Sequence, residues 1–133
     1  MIRLQKDIDE LFAERKPLVR SGNQTKTLSS IYRIRSLEEH PEPLLFLLHA
    51  PKKFFKHAHM RNKLKRWMRE AIRQSEELRE TIVLLTEKKL QALVLIRADF
   101  APSKDHAWKE IKNDTASIGR ALREKIQNSK LKT

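Results

Sequence analysis

Apolar residues recur at helical spacing at the start of the chain. Leu4, Ile8, Leu11 and Phe12 are separated by charged side chains, which predicts an amphipathic helix over Leu4 to Glu14. Pro17 ends it, and Ser21, Gly22 and Asn23 read as a turn. From Thr27 to Arg35 the pattern alternates and is rich in strand formers, among them Ile31, Tyr32 and Ile34. Leu37 to Pro43, with two prolines and several acids, reads as a connection. Leu44 to His49 is a short continuous apolar run suited to a buried strand.

Lys56 to about Arg73 carries the clearest helical signal. Leu64, Trp67, Met68, Ala71 and Ile72 form one apolar stripe on an otherwise polar segment. Ser75 to Lys89 is a second helical stretch, interrupted in propensity by Thr81, Ile82 and Val83. Leu90 to Ile96 predicts another buried strand. Ser103 is an N-cap candidate for a last helix that turns Trp108, Ile111, Ile118, Leu122 and Ile126 inward. Residues 128–133 read as a frayed tail. The order helix, strand, strand, helix, helix, strand, helix describes a mixed α/β domain, and 133 residues suit one core spanning 1–133.

Composition sharpens this picture mainly through charge. The chain has 29 Lys and Arg against 17 Asp and Glu, a formal net charge of +12. Such an excess repels itself unless a polyanion offsets it, with nucleic acid the first candidate and an anionic membrane surface the second. Cysteine is absent, which removes disulfides, thiolate metal sites and cysteine nucleophiles. Met1 to Glu10 has no apolar core of a signal peptide, and Leu44 to Leu48 is too short to span a bilayer. A cytoplasmic protein with no membrane partner is the expectation.

The charge is concentrated. Between Pro51 and Arg73 stand Lys52, Lys53, Lys56, Arg61, Lys63, Lys65, Arg66, Arg69 and Arg73, and the one acid is Glu70. This segment holds a net +8 of the chain's +12. On a helix, Arg61, Lys65, Arg69 and Arg73 follow each other four apart, with Asn62 and Arg66 beside them. Like charges at that spacing cost an isolated helix about 0.2–0.5 kcal/mol per pair, so an external anion is expected to offset them. A merely solvated face would alternate in sign; this one is suited to phosphate.

The same segment resembles the protein component of bacterial ribonuclease P, whose signature reads K-K/R-x-x-K-x-A-x-x-R-N-x-x-K-R-x-x-R-E-A. Lys52, Lys53, Lys56, Ala58, Arg61, Asn62, Lys65, Arg66, Arg69, Glu70 and Ala71 match it. Where the core of that signature commonly reads Arg-Asn-Arg, Lys63 keeps the charge. A second, looser similarity spans Asp7 to Lys16, where Asp7 and Phe12 fit, Ile8 replaces an aromatic and Arg15 replaces a glycine. The resemblance implies an α/β fold of the α+β two-layer-sandwich kind, with a four-stranded sheet packed by helices and a left-handed βαβ crossover carrying the basic helix. It further implies that Lys52, Lys53, Lys56, Arg61, Asn62, Lys63, Lys65, Arg66, Arg69 and Arg73 contact the ribonuclease P RNA. Phe12 and Tyr32 would line a cleft for the 5′ leader of precursor tRNA. The chemistry would belong to the RNA with Mg²⁺, the protein holding no metal itself and acting as a monomer.

Other chemistries find less support. His40, His49, His57, His59 and His106 form no triad or ligand spacing, although His57-x-His59 is a candidate for metal or phosphate. Asp7, Asp9, Glu10 and Glu14 read as a solvated helix face, and Trp67 and Met68 as core. Phe54 and Phe55, set among lysines, suit either base stacking or anchoring of the helix start. The alternative function is a non-catalytic RNA- or DNA-binding module, such as a ribosome-associated protein. A base-reading helix-turn-helix would show polar readers on its second helix, whereas this row is directed at phosphate.

Overall fold

The computed structural model describes residues 5–14, 16–19, 28–37, 42–52, 56–98 and 107–128. Its elements are α1 (Gln5–Glu14), β1 (Lys16–Val19), β2 (Leu28–Ser36), β3 (Leu44–His49), α2 (Ala58–Gln74), α3 (Glu76–Lys88), β4 (Leu90–Ala98) and α4 (Ala107–Gln127). The strands form one sheet in the order β1-β2-β4-β3. β4 is its spine, antiparallel to β2 from Leu90 to Ala98 and parallel to β3. Two parallel neighbours cannot be joined by a tight turn, so β3 and β4 are connected through α2 and α3.

A mixed α/β fold with a four-stranded sheet is what the structure has. The strand that alternation alone does not reveal is β1. It is only four residues long, contains Pro17 and pairs with β2 through Lys16↔Tyr32, Pro17↔Ile31 and Val19↔Ser30, with an irregularity between Pro17 and Val19. Proline is tolerated there because β1 is an edge strand, where an amide hydrogen can be spared.

Side chains alternate across the sheet and divide the core in two. Leu28, Phe46, Leu48, Ala92, Val94 and Ile96 face one side, under Leu64, Met68 and Ala71 of α2, Leu78 and Leu85 of α3, and Ile111, Ile118, Leu122 and Ile126 of α4. Leu45, Leu93 and Leu95 face the other, under Leu11 of α1. β4 is buried along its length apart from Arg97, as befits a central strand covered on both faces.

Ser75 separates α2 from α3. Its extended backbone stops α2, and its hydroxyl accepts from Leu78 N at 3.3 Å to cap α3. α3 is one regular helix despite its β-branched residues. Thr81 Oγ lies 2.7 Å from Glu77 O and 3.2 Å from Gly119 O, so its one hydroxyl hydrogen is shared between a carbonyl of α3 and a carbonyl of α4. The close approach of the two helices depends on Gly119, where a Cβ would meet Glu77 Cβ at 2.9 Å. Glu77–Arg120 and Glu80–Arg123 ion pairs run along the same seam. Asp114 of α4 is buried and accepts from Leu28 N at 3.1 Å, which fixes α4 over the start of β2.

α1 docks by charge as well as by Leu11. Asp7 lies 3.0 Å from Arg35 and is buried, and Glu10 pairs with both Arg33 and Arg35. The acidic residues of α1 are therefore not all a solvated face: Asp9 is exposed, whereas Asp7 is an anchor. Arg35 also donates to Gln91 at 2.7 Å, and Gln91 donates to Glu42 O at 2.8 Å. Among the described residues no helix is long and apolar enough to cross a membrane. The Ser103 cap, the turn at Ser21 to Asn23 and the tail after Asn128 lie outside the described residues.

Candidate nucleic-acid interface

Helix α2 rests on three buried side chains, Leu64, Met68 and Ala71, spaced one turn apart. Burying Leu64 and Met68 contributes about 1.5–3 kcal/mol each to docking the helix. Trp67 and Ile72 flank this stripe and are only partly buried. Met68 is core as expected, and Trp67 is not enclosed.

Burial separates the basic row into a crest and a flank. Four residues on an α-helix turn about 400°, so each step along Arg61, Lys65, Arg69 and Arg73 drifts about 40° round the axis. Arg61 and Lys65 consequently lie half-buried beside the apolar stripe, whereas Asn62, Arg66, Arg69 and Arg73 form the exposed crest. The four cations expected on a single face thus wrap across a wider arc. Lys63 sits on the other side of the crest, its Nζ 5.0 Å from the Trp67 ring centre.

These cations differ in how committed they are. Arg66 and Arg69 have no hydrogen-bond or ion-pair partner among the described residues. Arg73 pairs with Glu70, which also accepts from Gln74 at 2.8 Å. The hydrogen bonds from Arg73 and Gln74 hold the Glu70 carboxyl below the usual carboxylate range, and the same bond from Arg73 raises the guanidinium's own pKa. Arg61 Nη1 donates to Lys56 O at 3.1 Å, fastening the segment that leads into α2. Lys52 and Lys56 are exposed on that approach; Lys53, Phe54 and Phe55 lie outside the described residues. His57, the residue preceding the helix, stacks on His59 with ring centres 5.7 Å apart.

The second candidate surface is the α1 side of the sheet. Phe12 packs there with Ile8, Ile31 and Leu47 around Leu45, Leu93 and Leu95. Tyr32 does not join it. It neighbours Ile31 on β2, so its side chain points to the opposite face, where it packs against the core under α4. The cleft assignment of Tyr32 is therefore corrected by strand alternation: Phe12 and Tyr32 are on different sides of the sheet.

His49 and Arg97 continue the α1-side alternation beyond Leu47 and Leu95, and they are partners in register, as are Ser29 and Arg97. Burial, then the neighbouring charges of Lys65 and Arg97, push the pKa of His49 down from its ordinary value. Lys65 of α2 is thus close enough for its charge to act on His49, while Arg97 is the in-register neighbour of His49 on β4. Reading Leu44 to His49 as one continuous run concealed this; the parity of Leu45, Leu47 and His49 is the signal for it.

Two separate surfaces emerge, an exposed basic helix crest and a sheet face with an aromatic and a basic rim. A family model described as Ribonuclease P matches residues 3–123, from the start of α1 to well within α4. No curated protein matches the chain. The solved structure of the Staphylococcus aureus RNase P protein is similar at 14% identity and a TM-score of 0.46, over 99% of this chain and 96% of that one. With most of its basic signature on α2 and the family model running from α1 into α4, the chain belongs to the ribonuclease P protein family.

Proposed function

We infer that this subunit of ribonuclease P grips the RNA of the complex with α2 and holds the 5′ leader of precursor tRNA on the α1 side of its sheet. As a family member it is part of the tRNA-processing ribonuclease. The single observation that carries the division of labour is the pair Arg66 and Arg69, exposed on the crest and uncommitted among the described residues. Engaging four phosphates through this helix gives a salt slope of about −3, roughly a hundredfold loss of affinity between 50 and 200 mM salt.

Phosphodiester hydrolysis in this reading is the work of the RNA, with Mg²⁺ held by RNA phosphates. The protein's Lys52, Lys53, Lys56, Arg61, Asn62, Lys63, Lys65, Arg66, Arg69 and Arg73 act on the same phosphates electrostatically, lowering the repulsion between RNA and substrate that Mg²⁺ otherwise screens. Phe12 supplies an aromatic face to the leader, and Lys65, His49 and Arg97 lie where a strand leaving the cleft would pass toward α2.

The test is reconstitution. Added to a bacterial ribonuclease P RNA, the protein restores precursor-tRNA cleavage at Mg²⁺ concentrations where the RNA alone is slow. Equal rates with and without the protein would overturn the assignment.

A further inference from the structure

The α2–α4 seam carries an aromatic pair that neither the crest nor the cleft uses. Trp67 of α2 and Trp108 in the first turn of α4 meet edge to face, with ring centres 6.5 Å apart and planes inclined at 66°. Both are only partly buried. A cation stands over each: Lys63 Nζ is 5.0 Å from the Trp67 ring centre, and Lys112 Nζ is 5.8 Å from that of Trp108.

We propose that Trp67, Trp108, Lys63 and Lys112 form a seat for an unpaired RNA base, the rings stacking on the base and the ammonium groups taking the adjoining phosphates. Indole faces beside ammonium groups match a ligand with both a π face and negative charge. An apolar protein segment would leave the two cations desolvated, and a bare phosphate would make no use of the rings. Stacking of a base on an indole outweighs an exposed cation–π contact, so the lysines exchange ring for phosphate on their flexible stems.

Location supports the same ligand. Lys63 belongs both to the basic segment and to this seat, so the surface is continuous with the α2 crest. Trp67 lies on the α4 flank of the helix, and Lys65 lies on the flank toward His49. RNA gripping the crest would therefore have a stacking site at one side of α2. The inference rests on the RNA-binding role given above and extends it.

The chain has 2 Trp, both in this seat, so its intrinsic emission reports this site alone. Emission, excited at the red edge, is measured while the protein is titrated with a bacterial ribonuclease P RNA, a single-stranded oligouridylate and a fully paired RNA duplex of the same length. Quenching is expected with the first two and not with the duplex. Trp67→Leu is expected to bind the ribonuclease P RNA about tenfold more weakly, with Trp67→Phe regaining most of the loss. Absent quenching at saturating RNA, equal quenching by the duplex, or a Trp67→Leu affinity equal to the unaltered protein's would overturn the proposal. If Trp67→Leu does not fold, the single-strand against duplex comparison on the unaltered protein decides. An unaltered protein that fails to bind the RNA at all would instead overturn the RNA-binding role itself.

Discussion

Replacing one crest arginine at a time separates the charges that are free to bind RNA from those already engaged. Arg66 is exposed and has no partner among the described residues, so Arg66→Ala should remove the proposed phosphate contact and little else. A charge-assisted contact of this kind is worth about 1.5–3 kcal/mol, or about 10- to 150-fold in affinity, and the salt slope should flatten by about 0.7–0.9. An exposed substitution away from caps and core moves stability by about 0.5 kcal/mol or less, so the melting temperature should stay within about 2 °C. Arg73 differs because it is held by Glu70. To reach a phosphate it must give up that carboxylate, so Arg73→Ala should weaken binding less than Arg66→Ala.

Glu70→Gln gives the opposite sign. It releases Arg73 and deletes the single acid of the basic segment, so the ribonuclease P RNA should bind more tightly, with a salt slope steeper by up to about one unit. The assay is filter binding of labelled ribonuclease P RNA at several salt concentrations, with thermal melts of each variant. A purely structural row would show falls in melting temperature with affinities unchanged, and it has no route to the gain expected of Glu70→Gln. Equal losses for Arg66→Ala and Arg73→Ala would refute the argument from the Glu70 pairing.

Phe12→Ala should weaken the contribution of the leader to precursor-tRNA binding by about tenfold, whereas Tyr32→Leu, on the other face of the sheet, should leave it intact; binding of substrates with and without a leader distinguishes the two. His49 should couple RNA binding to proton uptake. Because its folded pKa lies below 6.5, the unfolded chain takes the proton first as pH falls through 6.5, and stability is lost in that direction. RNA phosphates neutralising Lys65 and Arg97 would raise the His49 pKa, so affinity should increase from pH 7.5 to pH 6 by an amount that His49→Gln abolishes, measured by binding across pH. Gly119→Ala places a Cβ 2.9 Å from Glu77 Cβ, and overpacking of about 1–3 kcal/mol outweighs a helix-propensity gain of about 1 kcal/mol. Thermal melts should show a lower melting temperature; a rise would mean that α3 and α4 part freely.

What the chain's pattern reveals depends on how local the determining contacts are. The stripe of Leu64, Met68 and Ala71 is a property of one helix and was readable without its surroundings. The same is true of β3 and β4, whose apolar runs are short and dense. β1 owes its existence to β2, so nothing within Lys16 to Val19 announces it. The side on which Tyr32 lies follows from alternation, but which side carries α1 is set by sheet packing. Likewise, the basic periodicity located the row, and only docking of α2 decided that Arg66 and Arg69 are bare while Arg61 and Lys65 are half covered. His49 and Arg97 are far apart in sequence and meet through parallel pairing.

The charges of this protein divide by whether they have a partner within the fold. Asp7 and Glu10 pair with Arg33 and Arg35 to hold α1 on the sheet, and Glu77 and Glu80 pair with Arg120 and Arg123 to hold α3 against α4. Those pairs build the platform. α2 is placed on it by Leu64, Met68 and Ala71, and its Glu70–Arg73 ion pair lies within the helix. α3 makes this possible: it takes over part of the cover of β4 that a single crossover helix would have to provide, so α2 need bury only one narrow stripe. A helix relieved of covering the sheet can carry like charges at adjacent turns, because apolar packing holds it against their mutual repulsion of a few tenths of a kcal/mol per pair. The double-helix crossover is therefore the structural reason that α2 can display so much positive charge in a chain of this length, and in the reading proposed above the RNA offsets it.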